Sequence, residues 1–596
     1  MIIEKKRIRR YTPILIIIFI LSSKIPQIFY TAHTAVRSFF SAQCSYDQLR
    51  SNDSIFYAIS EAKYILPKNA RVNVSPINWD FNRVKARYAL YPFKLSEDWD
   101  FFIDLDGTFK DAPQSYKKHQ LISGVTIFAR PDSDFVHQTF EAPSYHLLSV
   151  IIIFLSIHTF FVFFGAGILA LFKIAEKDNG MLWYLSTSYI FGFLASTIVV
   201  WLFLITGFDL NQTNIVLFWL TAFFLLFSFR IGWFLKSWRK SLNTTTFNLS
   251  LFKRIDTLSL TLFVILIILS LVIAACLTPV ASWDAMANWI MKSKIIFHEK
   301  KLIFDYTHHN EYPILWPLNI AIQFSLLGGY YDEVAKWTTA LLIIAFTSQL
   351  AAALTFIRIK YKWICILVLL YFACFFHRYL TYALAETPFL VFFTGCLTAM
   401  IAWLENEFRT KYLLLLIIMA IGLTLVKFEG GVACSILGIS LLISCRNQLS
   451  LNKAGIAVMC LFLVPVLEFG WIIWNKSAGY LPTISHLSDG LSIKKTILVI
   501  RQAIVLANNS DTGYGLFAGL FVFTLLKSSR NFSVIEETLF VISIAMIMFC
   551  AIAVMGWNIE DINLIGTGTT FGRLFRHVTP ALLILLGSLI FKFKKD

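Results

Sequence analysis

The chain has 596 residues, of which 57% are hydrophobic and 15% are charged, and its mean hydropathy is +0.68. Water-soluble domains of ordinary size cannot bury so much apolar surface, so the composition predicts a multi-pass membrane protein. The net charge of +16 does not indicate a nucleic-acid partner, because most Lys and Arg residues fall in short loops between apolar segments, where they set membrane orientation.

The N-terminal region is predicted to be a membrane anchor, residues 1–30, followed by a small α/β domain, residues 31–146. A basic head precedes the first apolar run and no small-residue cleavage site follows it closely, so the anchor stays and the N-terminus is cytoplasmic. SIFYAISEAKYIL and FNRVKARYALYP have helical patterns, whereas RVNVS, WDFFIDL and LISGVTIFA have the patterns of strands. Because the N-terminus is cytoplasmic and the anchor crosses the membrane once, the domain that follows it lies outside the cytoplasm.

Four acids of this domain, Asp98, Asp100, Asp104 and Asp106, alternate with apolar residues. Carboxylates at that spacing can bind a metal ion. The spacing favours the alternative, which is a strand edge with solvated carboxylates.

From residue 147 onward apolar segments recur, and with the anchor they predict about fourteen membrane spans. Residues 147–257 are interpreted as accessory membrane helices and residues 258–596 as the core. Alternate loops are basic, which places both termini in the cytoplasm, although Lys494, Lys495 and Arg501 fall in an outer loop. The spans are predicted at 147–172, 182–206, 213–235, 258–279, 334–357, 363–378, 387–404, 411–426, 430–445, 454–474, 513–527, 537–557 and 578–592.

The apolar segment YPILWPLNIAIQFSLLG, residues 312–328, would break the alternation of basic loops if it were a span. It is therefore predicted to be a re-entrant or surface-lying helix. Pro313 and Pro317 fit its first turn, where amide hydrogens have no helical partner.

The stretch 278–329 collects polar chemistry at the predicted outer boundary, with Asp284 at its centre. Asn288 and Lys292 follow Asp284 at four-residue steps, which would place the three side chains on one helical face. We interpret this face as the floor of an active site. The alternative is a solvated loop with an amphipathic helix lying on the bilayer.

Further polar residues are predicted on the same side. Glu386 begins a span, Lys427 and Glu429 lie in the turn LVKFEGG, and Glu468 lies near the outer end of a span. Each has a structural alternative as a helix cap, a local ion pair or an interfacial anchor. Few ionisable groups fall near the centres of the spans, which disfavours a transporter. The rest of this outer set is Lys294, His308, His309, Asn310, Glu311, Glu560, Asp561, Arg573, Arg576 and His577.

Carboxylates and cations at one depth suit a reaction between a lipid-borne leaving group and a hydrophilic acceptor. A departing phosphate needs Lys or Arg to stabilise its charge. The hydroxyl or amine of the acceptor needs a carboxylate that takes its proton.

The residues WDA, the YP turn, YALAE, the K-x-EG turn and the late arginine cluster resemble the bacterial GT-C fold glycosyltransferases, among them protein O-mannosyltransferase and aminoarabinose transferase relatives. The resemblance covers roughly residues 258–592. It implies a polyprenyl-phosphate-linked sugar donor, an envelope acceptor (lipid, glycan or protein), transfer with inversion in the bacterial inner membrane, and an active site on its outer face.

The resemblance also implies roles. Asp284 is the general base, although it stands alone where many relatives have two neighbouring acids. Lys427, Arg573, Arg576 and Lys292 contact the donor phosphate. The residues that orient these cations or contact the substrate are Glu386, Glu429, Glu311, Tyr312 and Asn288.

Two other functions stay open. One is an O-antigen ligase or polymerase, which His577 beside Arg576 favours, and the other is a lipid or polysaccharide transporter. No cofactor is certain. A divalent cation could bind His308, His309 and Glu311, although adjacent histidines in a loop are more often solvated.

Overall fold

The structure is a computed structural model of the full chain that describes most of residues 2–591. It leaves out residue 1, residues 592–596 and the internal ranges 42–53, 64, 68–69, 76–80, 92, 96–97, 106, 108, 110–112, 137–146, 175–179, 229–254, 281, 303–309, 311, 374–382, 447–450, 478, 480–492, 509–517, 519–521, 523–531 and 556–569.

The described part is mostly helical, and nine of its helices are long and apolar enough to cross a membrane. This confirms the prediction of an α-helical membrane protein. Five further apolar helices have 10–17 residues, and they include the predicted spans at 411–426 and 430–445. The predicted span 513–527 lies almost wholly outside the described residues. The nine are Ile16–Ser38, Leu148–Leu171, Met181–Ile205, Ser259–Leu277, Asp332–Phe356, Glu386–Glu405, Gly455–Ser477, Val534–Ala553 and Leu574–Phe591.

The described helices and strands are numbered here in chain order. The first group is α1 (Ile2–Ser41), α2 (Ser54–Lys63), β1 (Arg71–Val74), α3 (Phe81–Leu90), β2 (Lys94–Leu95), β3 (Phe101–Asp104), β4 (Lys117–Gln120), β5 (Thr126–Ala129), α4 (Leu147–Leu171), α5 (Met181–Ile205), α6 (Gln212–Ser228) and α7 (Ile255–Leu277). The second group is α8 (Ile290–Glu299), α9 (Leu315–Leu327), α10 (Asp332–Phe356), α11 (Tyr361–Tyr371), α12 (Glu386–Glu405), α13 (Thr410–Val426), α14 (Glu429–Cys445), α15 (Leu451–Leu463), α16 (Pro465–Ser477), α17 (Ile493–Asn508), α18 (Val534–Met555) and α19 (Thr570–Phe591).

The five strands form one sheet in the order β2-β1-β3-β5-β4. Strand β1 pairs in parallel with β2 and β3, whereas β5 pairs antiparallel with β3 and β4. Alternating apolar residues of the sheet, with residues of α2 and α3, form a hydrophobic core distinct from that of the membrane helices.

The acids of this region contact protein groups. Arg71 Nη2 lies 2.6 Å from Asp100 Oδ1, and Arg130 Nη1 lies 2.9 Å from Asp98 Oδ1. Arg71 also pairs with Asp98. Asp104 accepts hydrogen bonds from the Ser75 hydroxyl and the Phe109 amide. These contacts hold Asp98 and Asp100 in ion pairs just before the start of β3. Asp106 lies outside the described residues.

Helices α4 and α5 pack closely because each has a glycine where the other's backbone approaches. A Cβ on Gly165 would lie 1.7 Å from the Ser188 carbonyl oxygen, and a Cβ on Gly192 would lie 1.7 Å from that of Phe161. Small residues at such crossings let membrane helices approach closely, which increases their van der Waals contact. The pair forms one wall around α9.

Helix α9 is buried from Leu315 to Ser325 among α4, α5, α8 and α10. The surface-lying alternative for residues 312–328 is therefore wrong, because such a helix would leave one face exposed. A short helix enclosed by protein is compatible with the re-entrant alternative. Its sequence is therefore apolar on all sides apart from Asn319 and Gln323, which bond to each other, and Ser325, whose hydroxyl bonds to the Ala321 carbonyl.

Candidate functional site

The segment that follows α7 is a helix that runs through a π-helical turn, Ala285–Trp289, into α8. Every residue from Ala285 to Ile296 is buried. An amphipathic helix lying on the bilayer is therefore wrong for residues 285–296, whereas residues 303–309, where the loop of that alternative would fall, lie outside the described residues.

The structure separates the three residues of that predicted face by exposure. Asp284, just before the π turn, is partly exposed, whereas Asn288 is buried, with 2% of its surface exposed. Asn288 Oδ1 has no hydrogen-bond partner among the described residues. Lys292 is fully buried. A buried amide oxygen without a partner is costly, and it is a natural position for a ligand donor.

Lys292 is held beside two aromatic rings. Its Nζ lies 5.9 Å from the ring centroids of Trp289 and Tyr312. The two rings stack, with centroids 5.2 Å apart and planes at 11°. A cation at this distance from aromatic rings is attracted by their quadrupoles. Tyr312, three residues before the start of α9, therefore belongs to the same part of the molecule as Lys292.

A buried ion-pair cluster lies at the ends of three helices. Lys427, between α13 and α14, has its Nζ 3.2 Å from Glu386 Oε1 and 3.0 Å from Glu429 Oε1. Glu386 and Glu429 are the first residues of α12 and α14, where the helix dipole stabilises negative charge. The Lys427–Glu429 ion pair in the turn is thus present, as the structural alternative has it, and Glu386 adds a second carboxylate from α12.

The local sequence EGG explains how α14 can begin so close to α13. A Cβ on Gly430 would lie 2.1 Å from the carbonyl oxygen of Leu423, a backbone atom that cannot move aside. Glycine at 430 therefore permits the tight turn that presents Lys427 between the two glutamates.

A third glutamate adjoins this cluster. Glu468, in the first turn of α16, is 5% exposed, and its Oε2 accepts a 3.1 Å hydrogen bond from the Gly431 amide. Amides in the first turn of a helix have no intrahelical partner, so Glu468 completes the N-terminus of α14.

Trp471 connects this cluster to the segment around Lys292. It lies one turn after Glu468 in α16, and its indole Nε1 donates a 3.1 Å hydrogen bond to the carbonyl oxygen of Tyr312. A path of ring contacts, hydrogen bonds and short chain segments thus links Lys292 to the cluster: Tyr312 accepts a hydrogen bond from Trp471. Trp471 and Glu468 lie three residues apart on α16, and Glu468 accepts a hydrogen bond from Gly431, two residues after Glu429.

The start of α19 lies beside the same cluster. His577, which is fully buried, stacks on Phe389 with ring centroids 3.9 Å apart, and Phe389 is one turn after Glu386 in α12. Arg576 is 4% exposed. Arg573 lies in α19, but the structure does not describe its side chain.

The predicted metal-binding residues His308, His309 and Glu311 lie outside the described residues. Elsewhere, in the part of the chain that the structure describes, no group of three or more His, Cys, Asp and Glu residues is arranged to hold a metal ion.

One buried polar network escaped the sequence analysis. His158, near the middle of α4, has its Nδ1 3.1 Å from the Tyr189 hydroxyl and its Nε2 3.3 Å from Gln323 Oε1. Gln323 donates to Asn319, which donates to the Thr197 hydroxyl. The signal was present, because an ionisable residue inside an apolar span normally faces a polar partner.

Comparison of the chain with protein-family models, with curated proteins and with solved structures finds no match.

Proposed function

We propose that the chain is a membrane glycosyltransferase that moves a sugar from a polyprenyl-phosphate donor to an envelope acceptor at the outer face of the membrane. The observation that carries this proposal is the contact path from Lys292 to the cluster of Glu386, Lys427 and Glu429. It joins cations and carboxylates from segments more than a hundred residues apart in one buried region.

The proposed reaction is a displacement with inversion. A carboxylate takes the proton of the acceptor hydroxyl or amine, and the acceptor atom forms a bond to the anomeric carbon of the sugar. The bond between that carbon and the phosphate oxygen breaks, and the lipid phosphate leaves with the electron pair. Cations near the phosphate stabilise the negative charge that develops on it.

Asp284 is assigned the base, because it is partly exposed and can meet a hydrophilic acceptor. Lys292 and Arg576, with Arg573, are assigned to the phosphate. Lys427 is already paired with two glutamates, so its first task is to hold their positions.

The sugar is assigned to two buried acceptor atoms of the proposed site. Glu429 Oε2 and Asn288 Oδ1 are buried and have no hydrogen-bond partner among the described residues. Acceptor atoms of this kind bind the hydroxyl groups of a ligand, because their desolvation is then compensated. Glu386 and Tyr312 complete the proposed surroundings of the donor, and Glu311, outside the described residues, is proposed for the same role from the resemblance alone.

A transporter is the second candidate, and the network around His158 favours it, because polar groups inside spans often mark a substrate path. The two functions make different predictions for Asp284. Asp284→Asn removes the base of the transferase, whereas a transporter whose path passes His158 keeps working.

The experiment uses the full-length protein in liposomes with a panel of polyprenyl-phosphate hexoses and pentoses, and a bacterial envelope extract as acceptor. Asp284→Asn should lower kcat at least 100-fold, the usual contribution of a general base being about 10² to 10⁴. Asp209→Asn, at an exposed aspartate in the loop between α5 and α6, is the matched control and should transfer normally. Equal rates for both variants, or no release of polyprenyl phosphate with any donor by the wild type, would refute the proposal.

A further inference from the structure

Helix α3 belongs to two cores at once. Val84, Tyr88 and Tyr91, spaced by four and three residues, pack in the core of the membrane helices. Ala86 and Leu90 pack under the sheet. Residues spaced by three and four share one face of a helix. The helix therefore joins the sheet to the membrane helices, and it contacts the segment around the π turn.

The contact centres on a buried carboxylate. The Tyr88 hydroxyl donates a 2.6 Å hydrogen bond to Asp332 Oδ1, and Lys294 Nζ lies 3.8 Å from the same oxygen. Lys294 Nζ also lies 3.6 Å from the ring centroid of Tyr88 and 5.5 Å from that of Tyr330. Tyr88, Asp332 and Lys294 are 1%, 5% and 8% exposed.

A second contact secures the C-terminal end of α8. The Tyr91 hydroxyl lies 3.5 Å from Glu299 Oε1, and the Tyr91 ring meets the His298 ring edge to face at 5.5 Å. Burial, with Tyr91, Glu299 and Asp332 nearby, raises the pKa of the Tyr330 phenol. Tyr330 is therefore a neutral ring beside the Lys294 ammonium at physiological pH.

Lys294 and Lys292 point in nearly opposite directions from α8, because two residues turn a helix by roughly 200°. A contact that fixes Lys294 therefore fixes the rotation of α8 about its axis. The same rotation sets where Lys292 lies relative to Trp289 and Tyr312.

We propose that Tyr88, Lys294 and Asp332 are positioning residues through which the sheet region sets the rotation of α8 and the place of Lys292. The catalytic consequence rests on the proposed function. The positioning itself can be measured without any transfer activity.

The test compares Tyr88→Phe with the wild type in full-length protein in lipid nanodiscs. The variant keeps the ring over Lys294 and removes only the hydrogen bond to Asp332. A hydrogen bond to an ionised group corresponds to a factor of about ten or more, so we expect the amides of Ile290–Glu299 to exchange about tenfold faster. Tyr116→Phe, at a half-buried tyrosine of the sheet region that meets the Trp99 ring edge to face, is the control and should leave this exchange unchanged.

Lys294 gives a second, independent pair of variants. Lys294→Met should increase exchange in α8, and Lys294→Arg, which keeps a cation over the ring, should restore most of the protection. Wild-type exchange of α8 in both Tyr88→Phe and Lys294→Met would overturn the proposal.

The reaction supplies the last readout. Tyr88→Phe should lower kcat about tenfold at an unchanged melting temperature. A variant with a loosened α8 and a wild-type kcat would refute positioning for the reaction. If the wild type transfers no sugar, the proposed function fails, and the exchange rates still decide whether the cluster sets α8.

Discussion

Gly431 offers the sharpest test of how the glutamate cluster is built. A Cβ at this position would lie 2.3 Å from Glu468 Oε2, 3.3 Å from Glu468 Cδ and 3.5 Å from Pro465 Cβ. In Gly431→Ala the carboxylate must retreat by about 1 Å to reach ordinary contact, and it then loses its bond from the Gly431 amide. The N-terminus of α14 and the position of Glu429 change together.

The magnitude follows from opposing contributions. Alanine stabilises a helix by about 1 kcal/mol relative to glycine. Loss of the amide hydrogen bond to the buried Glu468 carboxyl costs about 1–3 kcal/mol. The overlap adds about 1 kcal/mol, the low end of overpacking costs, because the clashing atom is the free end of a side chain. The net expectation is a destabilisation of about 1–3 kcal/mol, from the sum of these contributions.

Gly470→Ala is the matched control. Gly470 lies in α16, two residues after Glu468, and a Cβ there would meet no atom within 4 Å. This variant should be as stable as the wild type or up to about 1 kcal/mol more stable. Titration with sodium dodecyl sulfate in mixed micelles unfolds the protein and measures the free energy of unfolding of both variants.

A compensating variant separates the clash from other effects. Glu468→Asp shortens the side chain by one methylene and should recover part of the stability lost in Gly431→Ala, a coupling of about 0.5–3 kcal/mol for residues in contact. If Gly431→Ala is as stable as Gly470→Ala, or if the two substitutions at 431 and 468 simply add, the packing described here is wrong.

Two further predictions concern charge. Lys427→Met should destabilise the protein by about 3–5 kcal/mol in the same unfolding assay, because Glu386 and Glu429 are left buried without their cation, and adding Glu386→Gln and Glu429→Gln should recover most of the loss. In the sheet region, hydrogen bonds from Arg130 to Asp98 and from Arg71 to Asp100 hold the pKa of each carboxyl below its ordinary value of 3.8. A lowered folded-state pKa gives stability that is complete above the unfolded pKa and is lost as the pH falls below about 4 towards the folded values. The amides of the strands should therefore lose protection from hydrogen exchange over that pH window, after correction for intrinsic exchange. Asp100→Asn should show a smaller loss.

Much of the fold follows from local pattern. Long apolar runs predicted the membrane helices, because a bilayer demands about twenty apolar residues in a helix. The same rule does not decide the place of α9, since a helix enclosed by other helices is apolar whether or not it crosses the bilayer. Hydropathy alone does not distinguish an enclosed helix from one that crosses the bilayer. For the same reason the sequence of α9 was compatible with a helix lying on the membrane surface.

The site was predictable only where its parts are neighbours in sequence. Lys427 and Glu429 are two residues apart in a turn, so their ion pair could be proposed from the sequence. Glu386 is 41 residues from Lys427, and Asp332 is 244 residues from Tyr88. Pairs so far apart in sequence are brought together only by the packing of the intervening helices, which the local sequence pattern does not reveal. The π turn after Asp284 likewise gives no signal in hydrophobic periodicity.

The charge of the cluster narrows how a donor can bind under the proposed reaction. Glu386 and Glu429 carry one negative charge each and Lys427 one positive charge, so the three groups sum to −1. An anionic phosphate placed against Lys427 would therefore meet a region of its own sign, and repulsion between like charges in a low-dielectric interior is strong. Hydroxyl groups of a sugar are attracted to the same carboxylates as hydrogen-bond donors. The donor is thus expected to present its sugar to the glutamates and its phosphate to Lys292 and Arg576, with the anomeric carbon between the two sets.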